Sequence, residues 1–250
     1  MDTLYIVVPC YNEEEVLPES ARVLRQKLHA LIGADKVTPR SRVLLVDDGS
    51  TDSTWYLISK MARENDLICG LKLSRNRGHQ NALMAGLLTA AKYAEVTVSI
   101  DADLQDDVDA IEEMVDKYNA GCPIVCGVRR KRDTDTFFKR VSARGFYLAM
   151  ELCGAKSIYD HADFRLMSRE AVERLSCFGS EELYLRGLIT RLGLPIEKVK
   201  YDRFPRLAGE SKYDLKKMLK LAKSGFQSKK MQPADFPQVG ELYIEQELMS

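Results

Sequence analysis

Five short apolar runs mark the first half of the chain: Leu4–Val8, Val43–Val46, Ile68–Leu73, Val96–Ile100 and Ile124–Val128. They are rich in Val, Ile and Leu and nearly continuous, with little polar alternation. A strand buried on both faces carries this signature, and a parallel sheet covered by helices demands it. Amphipathic stretches lie between the runs, at roughly 13–31, 52–65, 78–92 and 107–120, and each predicts a helix. This strand–helix rhythm predicts right-handed crossovers and a doubly wound, mostly parallel α/β sheet. Asn12 followed by Glu13, Glu14 and Glu15 has the form of a helix N-cap with an acidic first turn.

The second half changes character. Residues 129–144 carry seven Lys or Arg against two Asp. Helices are expected over 137–153, 168–177 and 180–192, followed by an extended, proline-containing stretch over 195–205. In the next segment Leu215, Met218, Leu219, Ala222 and Phe226 fall on one helical face, flanked by Lys216, Lys217, Lys220 and Lys223. That predicts a basic amphipathic helix over 212–226. Such a helix either lies in a lipid headgroup layer or packs its stripe on the domain with its lysines in water. Residues 227–250 show no packing pattern and read as a loose tail.

Composition narrows the class. A chain of 250 residues with 45% hydrophobic and 30% charged residues builds a globular core, as one large domain or a domain with a small appendage. The formal net charge of zero argues against a general nucleic-acid binder. The six cysteines include no C-x-x-C pair, and no histidine stands near Cys122 and Cys126. They read as small buried hydrophobes of a reducing compartment. No apolar run approaches the about 20 residues of a spanning helix, and no signal peptide is read at the start. The expected setting is cytoplasmic, with the chain lying on a membrane surface if it meets one.

Ligands of open α/β sheets bind beyond the carboxyl ends of the strands. Three of the predicted strands are followed there by Pro9-Cys10-Tyr11-Asn12-Glu13, by Asp47-Asp48-Gly49-Ser50-Thr51-Asp52 and by Asp101-Ala102-Asp103-Leu104-Gln105-Asp106. An acidic edge repels phosphate unless a divalent cation stands between them. Asp101 and Asp103, two apart in an extended segment, share a side, and hard oxygen ligands of this kind suit Mg2+ or Mn2+ together with substrate phosphates. Asp52 reads equally well as a turn former. His79, at a predicted helix start, reads as a capping or solvent-facing residue, and Trp55 as packing.

These three segments resemble the signatures of family 2 glycosyltransferases with the glycosyltransferase A fold. Ser74-Arg75-Asn76-Arg77-Gly78-His79-Gln80, Asp163-Phe164-Arg165-Leu166-Met167-Ser168-Arg169 and Arg206-x-x-Gly209-x-Ser211-Lys212-Tyr213 are similar to the polyprenyl-phosphate branch, the bactoprenol glucosyltransferases and dolichol-phosphate mannose synthases. The resemblance implies a catalytic domain over 1–211. It implies that Pro9, Tyr11 and Glu13 hold the donor's base and ribose with Asp48 on the nucleoside, and that Asp101, Asp103 and Gln105 surround the metal and diphosphate. Arg129, Arg140 and Ser142 would receive the acceptor phosphate, Arg206 and Lys212 would close over the diphosphate, and Asp163 would stand near the reacting sugar. Asp163 reads equally as an orienting group or a buried partner of Arg165. Arg186 and Gly187 would shape the acceptor side.

The chemistry is consistent with that assignment. Charge builds on the leaving diphosphate, and a divalent cation with Arg206 and Lys212 would neutralise it. A phosphate monoester, with a second pKa of about 6, is already largely dianionic near neutral pH, so it needs positioning by guanidinium groups more than a strong base. The expected activity is inverting transfer of a hexose to a polyprenyl phosphate, with UDP-glucose preferred as donor over GDP-mannose. The alternatives are the same fold acting on a soluble saccharide, or a non-catalytic nucleotide-sugar-binding remnant. Many bactoprenol glucosyltransferases continue into transmembrane helices where this chain has a short polar tail. The sequence leaves a homo-oligomer open.

Overall fold

The structure is a computed structural model and describes residues 1–130, 161–178, 185–204 and 244–249. Its centre is an eight-stranded sheet in the order β7-β5-β6-β4-β1-β2-β3-β8. The strands are β1 (Leu4–Cys10), β2 (Arg42–Asp47), β3 (Ile68–Leu73), β4 (Val96–Ser99), β5 (Ile124–Arg129), β6 (His161–Ser168), β7 (Ile196–Tyr201) and β8 (Ile244–Leu248). The helices are α1 (Leu17–Gly33), α2 (Thr54–Glu64), α3 (His79–Ala91), α4 (Ala110–Asn119), α5 (Arg169–Ser176) and α6 (Leu185–Ile189).

Alternation along β1 explains the continuous apolar runs. Leu4, Ile6, Val8 and Cys10 join a core with Leu17, Leu24 and Leu28 of α1, Ile58 of α2, and Ile111 and Met114 of α4. Tyr5 and Val7 face the other way, onto Leu83, Met84 and Leu87 of α3, Val172 of α5 and Leu188 of α6. Both faces of the strand are therefore dry, and each fully buried Leu or Val contributes about 1.5–3 kcal/mol over its exposed state. Helix α3 lies closest to the sheet at Gly86, where an added Cβ would come within 2.5 Å of Val7 and 2.7 Å of Val46.

Strands β1, β2, β3 and β4 are parallel neighbours, as are β5 and β7. Strands β6 and β8 run against them. The reversal of β6 matters for function, because its first residues reach the edge where β1, β2 and β4 end. Ser99 pairs with Arg165, so Asp101 and Asp163 leave that pair at the same end of the sheet.

The structure departs from the sequence reading at four places. Strand β6 has no continuous apolar run, because Asp163 and Arg165 are buried in it. Asn12 is not a helix cap: it has φ 51°, and α1 begins at Leu17 after Val16 without a side-chain cap. The short helix α6 replaces the described part of the helix expected over 180–192. Part of the expected loose tail is ordered as the edge strand β8, where Ile244 packs on the core, Glu245 pairs with Lys72 at 3.1 Å and Glu247 accepts from Tyr93 at 3.1 Å. The helix expected over 137–153 and the amphipathic helix over 212–226 lie outside the described residues, among which no helix is long and apolar enough to cross a membrane.

Candidate active site

The loops after β1 and β2 are sewn together. The Asn12 N–H donates to Ser50 Oγ at 3.0 Å, Glu13 N–H to Thr54 Oγ1 at 2.9 Å, and Glu14 N–H to Asp52 Oδ2 at 3.3 Å. In return Thr51 N–H donates to Asn12 Oδ1 at 2.9 Å and Ser53 N–H to Glu14 Oε2 at 2.9 Å. Asp52 also accepts from Thr54 N–H at 2.9 Å, the turn-forming work its sequence position suggested. Pro9 is buried in β1 beside Val46 of β2, beyond the last residue of β1 that pairs with β4, so its missing N–H breaks no ladder between those strands. Tyr11 and Glu13 stand half-buried just past it.

Asp48 ties a third loop to these two. Its carboxylate accepts from the N–H groups of Arg77 at 2.7 Å and Gly78 at 2.9 Å, immediately before α3. Burial pushes this carboxyl up to about 6, against the lowering effect of those two bonds. Gly49, at φ +65°, lies so close to the same loop that an added Cβ would sit 2.5 Å from the backbone of Arg75 and Asn76. The two oxygens of Asp48 thus hold the loop before α3 beside the loops after β1 and β2.

The second part of the site is built around charge. Asp101 and Asp103 stand half-exposed past the tip of β4. The bend that carries them holds Leu104 at φ 51°, with Asp103 Oδ1 accepting from Gln105 N–H at 3.2 Å. Asp163 is buried beside them. It receives Arg165 Nη2, Arg186 Nη2 at 3.0 Å, Arg186 Nε at 3.3 Å and Gln80 Nε2 at 3.1 Å. His79 Nε2 stands 3.5 Å from Asp163 Oδ2 and 3.6 Å from Asp101 Oδ1.

These neighbours set the charge states. Burial alone would raise Asp163, but Arg186, His79 and Arg165 outweigh it and hold the carboxyl well below the usual range. Burial pushes Asp101 up to about 6; His79 opposes the shift, while Asp106, Asp163 and Asp103 add to it. Burial disfavours the charged form of His79, yet its two carboxylate neighbours carry it up to about 9. His79 is exposed to solvent, as expected, and is at the same time a member of the charged cluster. A histidine at a helix start gives no sequence signal for this, because its partners come from β4 and β6.

Arg129, at the end of β5, donates to Asp106 at 3.2 Å and to Tyr201 Oη at 3.2 Å. It thus stands beside the Asp101–Asp106 bend. Gln105 Oε1 accepts from Arg203, and its backbone carbonyl accepts from Phe204 N–H at 2.9 Å. Arg140, Ser142, Arg206 and Lys212 lie outside the described residues. Sequence reading missed Ser20 of α1, whose hydroxyl reaches the Ala102 carbonyl, and Gln80, which joins Asp163 to the N–H of Leu185 at 3.1 Å.

Among the described residues no group of three or more His, Cys, Asp or Glu side chains is arranged to hold a metal by itself. Two hard carboxylates at a half-exposed tip fit a Mg2+ or Mn2+ ion that takes its other ligands from water and a diphosphate.

Residues 5–176 match the family model described as Glycosyl transferase family 2. The uncharacterized glycosyltransferase YkoT of Bacillus subtilis (strain 168) is 48% identical over 233 residues, covering 93% of this chain and 69% of that protein. The bactoprenol glucosyl transferase of Shigella phage SfV is 33% identical over 225 residues, covering 89% of this chain and 70% of that one. Glucosyl-3-phosphoglycerate synthase from Mycobacterium tuberculosis, solved with Mn2+, uridine-diphosphate-glucose and phosphoglyceric acid, shares the fold. Its TM-score is 0.57 at 19% identity, over 91% of this chain and 78% of that chain.

Proposed function

The chain belongs to glycosyl transferase family 2, and we propose that it transfers a hexose, glucose in the first instance, from a nucleoside-diphosphate sugar to a polyprenyl phosphate. The observation that carries this reading is the pair Asp101 and Asp103 at the tip of β4, beside a cleft wall built by Asn12, Asp48 and Arg77. UDP-glucose is the preferred donor, and the 33% identity to a bactoprenol glucosyl transferase supports the lipid-phosphate acceptor.

In this reading Pro9, Tyr11 and Glu13 line the nucleoside side of the cleft, and Asp48 keeps its wall in place. Asp101 and Asp103 would hold a Mg2+ or Mn2+ ion, which would supply Lewis-acid stabilisation of the departing diphosphate. Gln105 stands next to them, and Arg206 and Lys212 add positive charge from the segment after β7. Arg129, with Arg140 and Ser142, receives the acceptor phosphate. That group is already anionic and attacks the sugar in a single displacement, which inverts the anomeric centre. Asp163, gripped by Arg165 and Arg186, orients the sugar. In this reading the basic segment 212–226 and the aromatic and basic stretch 137–148 meet the cytoplasmic membrane surface, so that the lipid tail stays in the bilayer.

The test is a donor screen with Mg2+ or Mn2+ and polyprenyl phosphate, followed by identification of the product. Glucosylated polyprenyl phosphate is the expected result. Transfer to oligosaccharides alone would defeat the acceptor assignment.

A further inference from the structure

The bend that carries Asp101 and Asp103 is strained. Leu104 takes a left-handed backbone conformation at φ 51°, which residues other than glycine rarely adopt. Such a conformation persists only where the surroundings over-determine it. Ser20 holds the Ala102 carbonyl from one side. From the other side the end of β7 and the residues after it hold the bend at successive points. Tyr201 Oη donates to Asp106 at 2.6 Å, Arg203 donates to the Gln105 side-chain carbonyl, and Phe204 N–H donates to the Gln105 backbone carbonyl at 2.9 Å. Tyr201 is locked in turn by edge-on packing against Phe164 at 5.2 Å.

We infer that Arg203 is a positioning residue for the reaction: by fastening Gln105 it keeps the Leu104 bend in the conformation that presents Asp101 and Asp103 together. Arg203 has an exposed side chain, so core packing does not account for its grip on Gln105. The bond fixes the Gln105 side chain beside Asp103, whose Oδ1 accepts the Gln105 N–H at 3.2 Å. This inference rests on the proposed metal-dependent transfer, but its physical core, a bend held by Arg203, stands independently of any ligand.

The experiment uses the full chain and four proteins: wild type, Arg203→Ala, Gln105→Ala and the double variant. Hydrogen exchange of the peptide spanning 101–107 is measured without ligand. Exchange about fivefold or more faster in Arg203→Ala is expected, with the β1–β3 peptides unchanged; equal protection in wild type and variant would overturn the inference. Binding of Mn2+ with UDP is then followed by the Mn2+ electron paramagnetic resonance signal. Binding weakened about fivefold to tenfold in each single variant, and no further in the double, is expected of two residues acting as one device. Additive losses, or wild-type binding in Arg203→Ala, would also overturn it. Should wild type itself bind no Mn2+ with UDP, the transferase reading fails, and the exchange measurement alone decides the fastening role. Tyr201→Phe, which removes one hydroxyl and keeps the ring, is expected to raise exchange in the same peptide.

Discussion

The two halves of the cleft are held by different forces. On the β1–β2–β3 side, the loops are stitched by hydrogen bonds between side chains and backbone: Asn12 to Thr51, Glu14 to Ser53, and Asp48 to Arg77 and Gly78. On the β4–β6 side, the contacts are between charges, with Asp163, Arg165, Arg186, His79 and Asp101 in one cluster. A wall stitched by hydrogen bonds holds its shape without ligand charge, as a surface that recognises a nucleoside should. A charged cluster is sensitive to whatever ion joins it, as a site where charge develops in a reaction should be. The contrast predicts that the half-exposed carboxylates of the charged side separate activity from stability, that its buried ion pair couples the two, and that variants on the stitched side change both modestly.

The largest effect falls on Asp163→Ala. It would leave the buried Arg165 without its counter-charge, and breaking a buried pair from one side costs about 3–5 kcal/mol. Both activity and the denaturant midpoint are expected to collapse; a variant that kept wild-type stability would show that Arg165 does not depend on Asp163. Asp103→Ala sharpens the comparison on the same side. Its carboxylate is half-exposed, so the unfolding midpoint is expected to stay within a degree or two while turnover falls about a thousandfold, about 4 kcal/mol of transition-state stabilisation. Undiminished turnover would remove the metal from the reading.

Gly49→Ala probes the stitched side. A Cβ there meets the backbone of Arg75 and Asn76 at 2.5 Å, and the φ of +65° is itself unfavourable for alanine. The loops after β2 and β3 must separate, at a cost of about 2 kcal/mol. A lower melting temperature together with a raised donor KM is expected. A change in kcat with KM untouched would mean that this wall does not contact the donor.

What the sequence made legible follows the same division. Strands β1–β5 announce themselves because most of their positions are buried and filled by Val, Ile and Leu. The place of Asp101 and Asp103 was legible because they directly follow the apolar run of β4. Strand β6 was illegible, since Asp163 and Arg165 interrupt its apolar pattern and satisfy each other only in three dimensions. Strand β8 was illegible because an edge strand reading Ile-Glu-Gln-Glu-Leu buries little, and its glutamates find Lys72 and Tyr93 far away in the chain. Asn12 was misread because an asparagine before three glutamates is a good helix cap, and its left-handed backbone is imposed by the neighbouring loop.

That misreading yields the smallest and most discriminating test. Asn12 adopts φ 51° and accepts the N–H of Thr51 at 2.9 Å, while α1 starts only at Leu17. Were Asn12 a helix cap, Asn12→Ser would preserve it and Asn12→Gly would cost only a few tenths of a kcal/mol, with effects confined to α1. As a left-handed stitch it ranks its replacements differently. Glycine keeps the backbone conformation but loses the acceptor, at about 1 kcal/mol; alanine loses both, at about 2 kcal/mol. Serine accepts a hydrogen bond but resists the left-handed region, so it should fall closer to alanine than to glycine. Hydrogen exchange of the Thr51 amide reads the stitch directly. Faster exchange there in all three variants, with α1 protected as in wild type, is the expected outcome. Fraying of α1 with Thr51 still protected would return Asn12 to the role of a cap and leave the stitched wall one bond weaker than described.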